Sequence, residues 1–136
     1  MSFYLEIISP VKIVFQGEVK SVTIPGTTGS FQVLQNHAPL ISTFSIGKIK
    51  IEKDSEEIEY STGGGVFEVK NNKSVVLAQS IESKEEIDIE RAKFSRLKAE
   101  DLLKAGELNA VEKEDARAAL QRAINRLRFS EKNSMK

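Results

Sequence analysis

Asp88 and Arg91 stand three residues apart in Ile87 to Lys93, IDIERAK, near the start of the first long run of helix-forming residues. A carboxylate and a guanidinium at that spacing can meet as a surface ion pair on one helical face. They can equally form half of a ligand site, because a guanidinium offers planar paired donors that suit phosphate oxygens. Arg122 and Arg126, four residues apart, share a helical face farther along. An antiparallel hairpin turning near Gly106 brings them back beside Asp88 and Arg91. Three guanidiniums so gathered repel one another unless solvated or bridged by an anion. The alternatives are a solvated basic helix end that complements the helix dipole and a phosphate site.

Other chemistries fare worse. The one histidine, His37 in VLQNHAPLIS, has no cysteine, nucleophile elbow or orienting acid nearby in sequence, so a general-base role lacks its partners. Pro39 ends local regularity there, and NHAP reads as a loop tip able to serve as a contact surface. Gly63 to Gly65 in STGGGVFEV precede a strand rather than a helix, which argues for a bulge or a positive φ and against a phosphate loop. One histidine and no cysteine leave only carboxylates for a metal, and EKEDAR and KEEIDIE lack the alternating ligands and central glycine of a calcium loop. No metal is expected.

The elements that must position these residues fall into two unlike parts. The chain has 136 residues and a formal net charge of zero, which argues against a nucleic-acid binder. Up to Ser80 it carries seven Lys and no Arg; all six arginines follow. The first part alternates with period 2 and is punctuated by turn residues, as in GKIKIEKDSEEIEYSTGGG. This predicts eight to ten short antiparallel strands in a sandwich or flattened barrel, with Ile49 and Ile51 inward and a hairpin turn at Asn71-Asn72. After Ser80 the residues are mostly Ala, Leu, Glu, Lys and Arg, with a capping-box candidate in Ser83 and Glu86 and a break near Gly106. A helical hairpin is expected. Ala116, Ala119, Ala123 and Leu127 form its narrow seam, with Leu120 and Ile124 beside them. The fold class is α+β, with a sandwich over 1–82 and a hairpin over 83–136. No apolar run reaches the roughly 18 residues of a membrane span, and Met1 to Pro10 lacks the marks of a signal peptide, so the cytoplasm is the expected compartment.

GSFQVLQNHAPLIS, STGGGVFEV followed by VVLAQS, IDIERA and ALQRAINRL, in this order and spacing, resemble the epsilon subunits of bacterial F-type ATP synthases, called delta in mitochondria. The resemblance runs from end to end. It implies a ten-stranded sandwich and two C-terminal helices in the rotor stalk, with no bond chemistry of their own. The sandwich would bind the gamma subunit and the c-ring, with Ser30, Phe31 and His37 on the c-ring side. The hairpin would move between a folded state and an extended one that reaches alpha and beta and blocks ATP hydrolysis. Arg122, Arg126 and Arg128 would then meet an acidic segment of beta.

Some such subunits bind ATP through an Ile/Leu-Asp-x-x-Arg-Ala motif, which Ile87, Asp88, Arg91 and Ala92 match. The resemblance adds Glu82 upstream and Arg122 and Arg126 on the second helix. Two departures stand out. Lys98 occupies a place where strong ATP binders carry arginine, and GSFQVLQNH lacks the Glu and Gly common before the histidine. ATP would be a regulatory ligand, and the complex a peripheral one on the cytoplasmic face of the membrane. Two rivals differ in class: a small hydrolase built on His37, and a stand-alone sandwich that binds proteins with no nucleotide role.

Overall fold

A computed structural model describes residues 1–134, with side chains described through 131. The chain divides into two compact units, Met1–Ser83 and Lys84–Lys136. The first holds ten strands: β1 Phe3–Ile8, β2 Ile13–Val19, β3 Ser21–Ile24, β4 Phe31–Val33, β5 Leu40–Phe44, β6 Gly47–Lys53, β7 Glu56–Thr62, β8 Gly65–Lys70, β9 Lys73–Ala78 and β10 Ile81–Glu82. They form two five-stranded sheets, β2-β1-β9-β8-β5 and β10-β7-β6-β3-β4. The period-2 pattern makes this a sandwich, since each strand turns one apolar face inward. Leu5, Ile7, Val22, Ile24, Ile49, Ile51, Phe67 and Val76 are fully buried between the sheets.

One pairing departs from the antiparallel expectation. β1 runs parallel to β9, from Tyr4 beside Lys73 to Ile8 beside Leu77. A hairpin imposes antiparallel order only on strands adjacent in sequence. The chain passes through the opposite sheet before returning beside β1, so that constraint is absent.

The outer faces of the sheets differ in kind. β6 and β7 carry charge outward, with Lys48 paired to Glu59 at 3.0 Å and Lys50 to Glu57 at 3.2 Å. The outward face of the other sheet carries a row of apolar residues. Val66 stands beside Leu77, Leu77 beside Ile8, and Ile8 beside Ile13. Ile41 adds to that face and is 70% exposed, and Leu77 is 51% exposed.

The second unit begins with a short 3-10 turn, Lys84–Glu86, followed by α1 Ile89–Ala105 and α2 Ala110–Ser134. Helix α1 itself begins only after the 3-10 turn. Asp88 is the N-cap of α1, and its side chain accepts the Arg91 backbone N–H at 3.1 Å. Gly106 closes α1 in the left-handed region at φ 70°, where a Cβ is disfavoured. A reciprocal capping box does start α2. The Asn109 side chain accepts from the Glu112 N–H at 2.9 Å, and Glu112 accepts from the Asn109 N–H at 3.0 Å.

The alanine seam is present and symmetric about the turn. Ala99 and Ala116 each lie seven residues from the limits Gly106 and Asn109, and Ala92 and Ala123 fourteen. All four alanines are buried. Methyl groups at a heptad interval let the two backbones approach closely while burying little apolar area.

Candidate ligand face of the helical hairpin

The IDIERA segment is first of all a helix start. Ile87, just before the cap, is buried, as is Ala92 at the fourth helical position, which is the spacing of a hydrophobic staple. Asp88 bonds the backbone rather than the Arg91 guanidinium. Of the segment's side chains, Arg91 is left with a charged group that no local role consumes. Its guanidinium is exposed and makes no hydrogen bond or ion pair among the described residues.

Its neighbours behave differently. Lys93 pairs with Glu90 at 3.9 Å and Arg96 with Glu100 at 3.6 Å. Lys98 and Arg122, like Arg91, have no such partner among the described residues; Arg126 does interact within the chain. The seam decides where these cations stand. At roughly 100° per residue, Arg91 and Lys98 lie about a quarter turn from the Ala92 and Ala99 line. Arg122 and Arg126 lie about a quarter turn, in the same sense, from the line of Ala116 and Ala123. In an antiparallel pair, equal offsets of one sense fall on the same side. Arg91 therefore sits level with Arg122 and Arg126, with Lys98 about two turns farther toward the hairpin bend.

The result is a broad cationic face on a floor of small side chains, with its positive charge only partly matched by acids. Such a face suits a polyphosphate, whose oxygens accept from forked guanidinium donors. Lys98 is the weakest member, a point charge beside the exposed Phe94, Leu97 and Leu102, which give α1 a second apolar stripe away from the seam.

The remaining expected residues sit on other elements or on another side of α2. Glu82 lies on β10 of the sandwich unit, opposite Ser61 of β7. Arg128 follows Arg126 by two residues and so stands roughly 200° around the helix from it, outside the shared face. In the sandwich, Ser30 and His37 flank opposite ends of β4, since the β3–β4 connection lies at one end of that strand and the loop to β5 at the other. Phe31 turns its ring to the core, edge-on to Phe67 with centroids 5.8 Å apart. His37 is half-buried, and its Nδ1 lies 2.7 Å from the Ala38 carbonyl.

The Asp88 cap separates two ways of weakening the site. Asp88→Ala is expected to destabilise the hairpin by about 1 kcal/mol through the lost cap, whereas Asp88→Asn keeps an acceptor and costs a few tenths at most. Calorimetry with ATP and helical circular dichroism on both variants check this. Near-native ATP binding by Asp88→Asn marks a structural cap, and equal loss in both marks a carboxylate that touches ligand.

The fold defines a two-unit protein, a β-sandwich followed by a helical hairpin bearing an incompletely matched cationic face. Residues 2–84 match the family described as ATP synthase, Delta/Epsilon chain, beta-sandwich domain, and residues 85–131 match its long alpha-helix domain. The ATP synthase epsilon chain of Caldicellulosiruptor bescii is 38% identical over 131 residues, covering 96% of this chain and 95% of the relative. That of Nitratidesulfovibrio vulgaris strain DP4 is 40% identical over 127 residues, covering 93% and 94%. A chain of the Euglena gracilis mitochondrial ATP synthase structure containing OSCP, F1 and the c-ring shares the fold with a TM-score of 0.77 at 17% identity, covering 99% of this chain and 82% of that one. One from the Tetrahymena thermophila mitochondrial central stalk and c-ring structure has a TM-score of 0.68 at 12% identity, covering 93% and 95%. The chain belongs to the delta/epsilon chain family of ATP synthase, as a non-catalytic subunit of that enzyme complex.

Proposed function

We propose that this chain sits in the central rotor stalk of an F-type ATP synthase, couples proton flow to ATP synthesis, and restrains ATP hydrolysis through its hairpin under the control of bound ATP. The observation that carries the regulatory part is the grouping on one side of the hairpin of Arg91, Lys98 and Arg122, without side-chain partners among the described residues, beside an Arg126 that is already engaged, while the neighbouring Lys93 and Arg96 are paired with acids. Structural charge networks neutralise themselves, whereas a ligand site keeps donors in reserve.

The apolar row across the outer face of the β2-β1-β9-β8-β5 sheet supports gamma as the sandwich's partner. Adjoining exposed aliphatic residues on five paired strands, as at Ile41 and Leu77, favour a surface buried in an assembly. The c-ring is the second partner, reached from an end of the sandwich. Alpha and beta are partners of the extended hairpin, for which the exposed stripe of Phe94, Leu97 and Leu102 on α1 provides an apolar contact. No described helix is long and apolar enough to cross a membrane. The chain meets the cytoplasmic face of the inner (plasma) membrane only through these partners.

ATP here is a ligand and not a substrate. Its phosphates would take donors from Arg91, Arg122 and Arg126, with Lys98 adding charge. Because these residues come from both helices, bound ATP holds the hairpin closed.

The test compares residues 1–83 with the full chain in capture by purified gamma and in inhibition of reconstituted ATPase. The sandwich has its own core, and the short unit is expected to fold and to bind gamma without inhibiting hydrolysis. Failure of the full chain to bind gamma would remove the rotor assignment. Full inhibition by residues 1–83 would remove the hairpin from the mechanism.

A further inference from the structure

The loop that carries His37 is tied to a distant hairpin by a pair of asparagines. Asn72 Oδ1 accepts the Asn36 backbone N–H at 2.6 Å, and Asn72 Nδ2 donates to Asn36 Oδ1 at 2.9 Å. The two bonds fix the orientation of the Asn72 amide, because its oxygen must face a donor and its nitrogen an acceptor. Asn72 also anchors β1, since its carbonyl accepts the Tyr4 N–H at 3.0 Å. One residue at the β8–β9 turn thus holds the first strand and the connection between β4 and β5.

Both residues adopt the left-handed conformation, at φ 63° for Asn36 and φ 60° for Asn72. Asparagine tolerates that region far better than most residues, though less freely than glycine. Glycine would satisfy the backbone alone and leave the clasp unmade. Behind Asn36 the loop is tightened by the His37 N–H bonding to Leu34 O at 3.3 Å and by His37 Nδ1 beside the Ala38 carbonyl. The His37 ring is held by its own loop, and the loop by Asn72.

We infer that Asn72 is a positioning residue that presents the His37 loop and the Asn71-Asn72 turn as one preformed surface to the rotor ring. This rests on the c-ring partnership proposed above. Loop 34–39 crosses from one sheet to the other at this end, where the Asn71-Asn72 turn also lies. A loose crossing would have to be ordered on docking, at an entropic cost to affinity that the clasp has already met in the free protein. The surface is small and mixed, with Gln35, Asn36 and Asn71 exposed beside Leu34, suited to the loops of a membrane ring rather than to its apolar flank.

The experiment uses the full chain and the variants Asn72→Gly, which keeps the left-handed turn and removes both bonds, and Asn36→Gly, which keeps its turn and removes only the bond from Asn72 Nδ2. Amide hydrogen exchange at Asn36 and His37 reports the loop. Binding is read against a detergent-solubilised complex of gamma and c-ring, and against gamma alone. In Asn72→Gly, exchange at Asn36 and His37 is expected to rise about tenfold or more, with affinity for the gamma and c-ring complex falling roughly tenfold and affinity for gamma alone unchanged, whereas Asn36→Gly, which keeps the backbone bond, is expected to show smaller changes in the same direction. Faster exchange with undiminished binding to the complex would overturn the positioning role, as would unchanged exchange. A wild-type chain that binds gamma no better with the c-ring than without it would instead overturn the c-ring assignment on which the inference stands. Equal weakening toward gamma alone would show general destabilisation and would likewise overturn it.

Discussion

At ATP ten times above its Kd, the folded hairpin of the isolated chain is expected to gain about 1.4 kcal/mol over the extended form, a tilt of roughly tenfold, and Arg91→Ala is expected to erase most of that gain. Arg91 is the member of the cationic face with the fewest other duties. It makes no side-chain bond among the described residues, so its replacement by alanine should leave the hairpin's stability nearly unchanged. Loss of a charged hydrogen bond to phosphate lowers affinity by about ten- to a hundredfold. Arg122→Ala added to Arg91→Ala should bring the combined loss to about a hundredfold or more, with Lys93→Ala, already paired with Glu90, as the control.

The same arginines serve two states. In the proposed extended form Arg122 and Arg126 meet an acidic segment of beta, and they cannot hold ATP phosphates at the same time. Arg122→Ala and Arg126→Ala should therefore weaken inhibition and its ATP dependence together, whereas Arg91→Ala should weaken only the ATP dependence. Lys98→Arg replaces a point charge with a fork and should tighten ATP binding. Titration calorimetry on each variant and hydrolysis by the reconstituted complex across a range of ATP distinguish these outcomes. If Arg91→Ala together with Arg122→Ala leaves both inhibition and ATP dependence untouched, the cations are a solvated helix end.

Gly65→Ala is expected to destabilise the sandwich by about 3 kcal/mol or more. A Cβ at Gly65 would overlap the Leu77 carbonyl oxygen, and it would come within 2.9 Å of Phe44 Cζ and 3.0 Å of Ala78 Cα. Two of these three atoms are backbone on the neighbouring strand, so no rotamer change relieves the overlap. The strand ladder itself must part. Nearby bonds oppose that movement: Gln79 N–H donates to Gly64 O at 2.9 Å and Gly63 N–H to Ser80 O at 3.1 Å. Gly29→Ala makes the comparison, because a Cβ there meets nothing within 4 Å and only its φ of 134° resists substitution. Urea denaturation of both variants measures the difference. Equal midpoints would mean that the close approach at Gly65 relaxes without cost.

Several features were legible from residue order because their causes are local. Alternating Ile49 and Ile51 against Lys48 and Lys50 prescribe a strand with one dry face, and both isoleucines are fully buried. Asn71 and Asn72 were legible as a hairpin turn, and they adopt φ of 52° and 60°. Ala116 and Ala123 at a heptad interval called for a close helical partner, and the alanines of α1 meet that requirement at the matching distance from Gly106. The Asn109 and Glu112 capping box carries the same kind of signal, an asparagine followed three residues later by a glutamate.

Residue order alone left open whether Asp88 and Arg91 were an ion pair or part of a site, since a cap and a salt bridge share the spacing of three. The backbone bond at 3.1 Å makes Asp88 a cap and leaves Arg91 available. The parallel joining of β1 to β9, the Asn36 to Asn72 clasp, the inward turn of Phe31 and the separation of Ser30 from His37 were also tertiary decisions. Each depends on residues brought together across tens of positions or on the course of the chain through two sheets. What the sequence determined by itself were the two kinds of unit, their periods and their turns, because strand and helix patterns are set by steps of a few residues. Which cations share a face, and which polar groups are already engaged, only the folded chain decided. Those outcomes follow from the register of one helix or strand against another, and no local pattern encodes it.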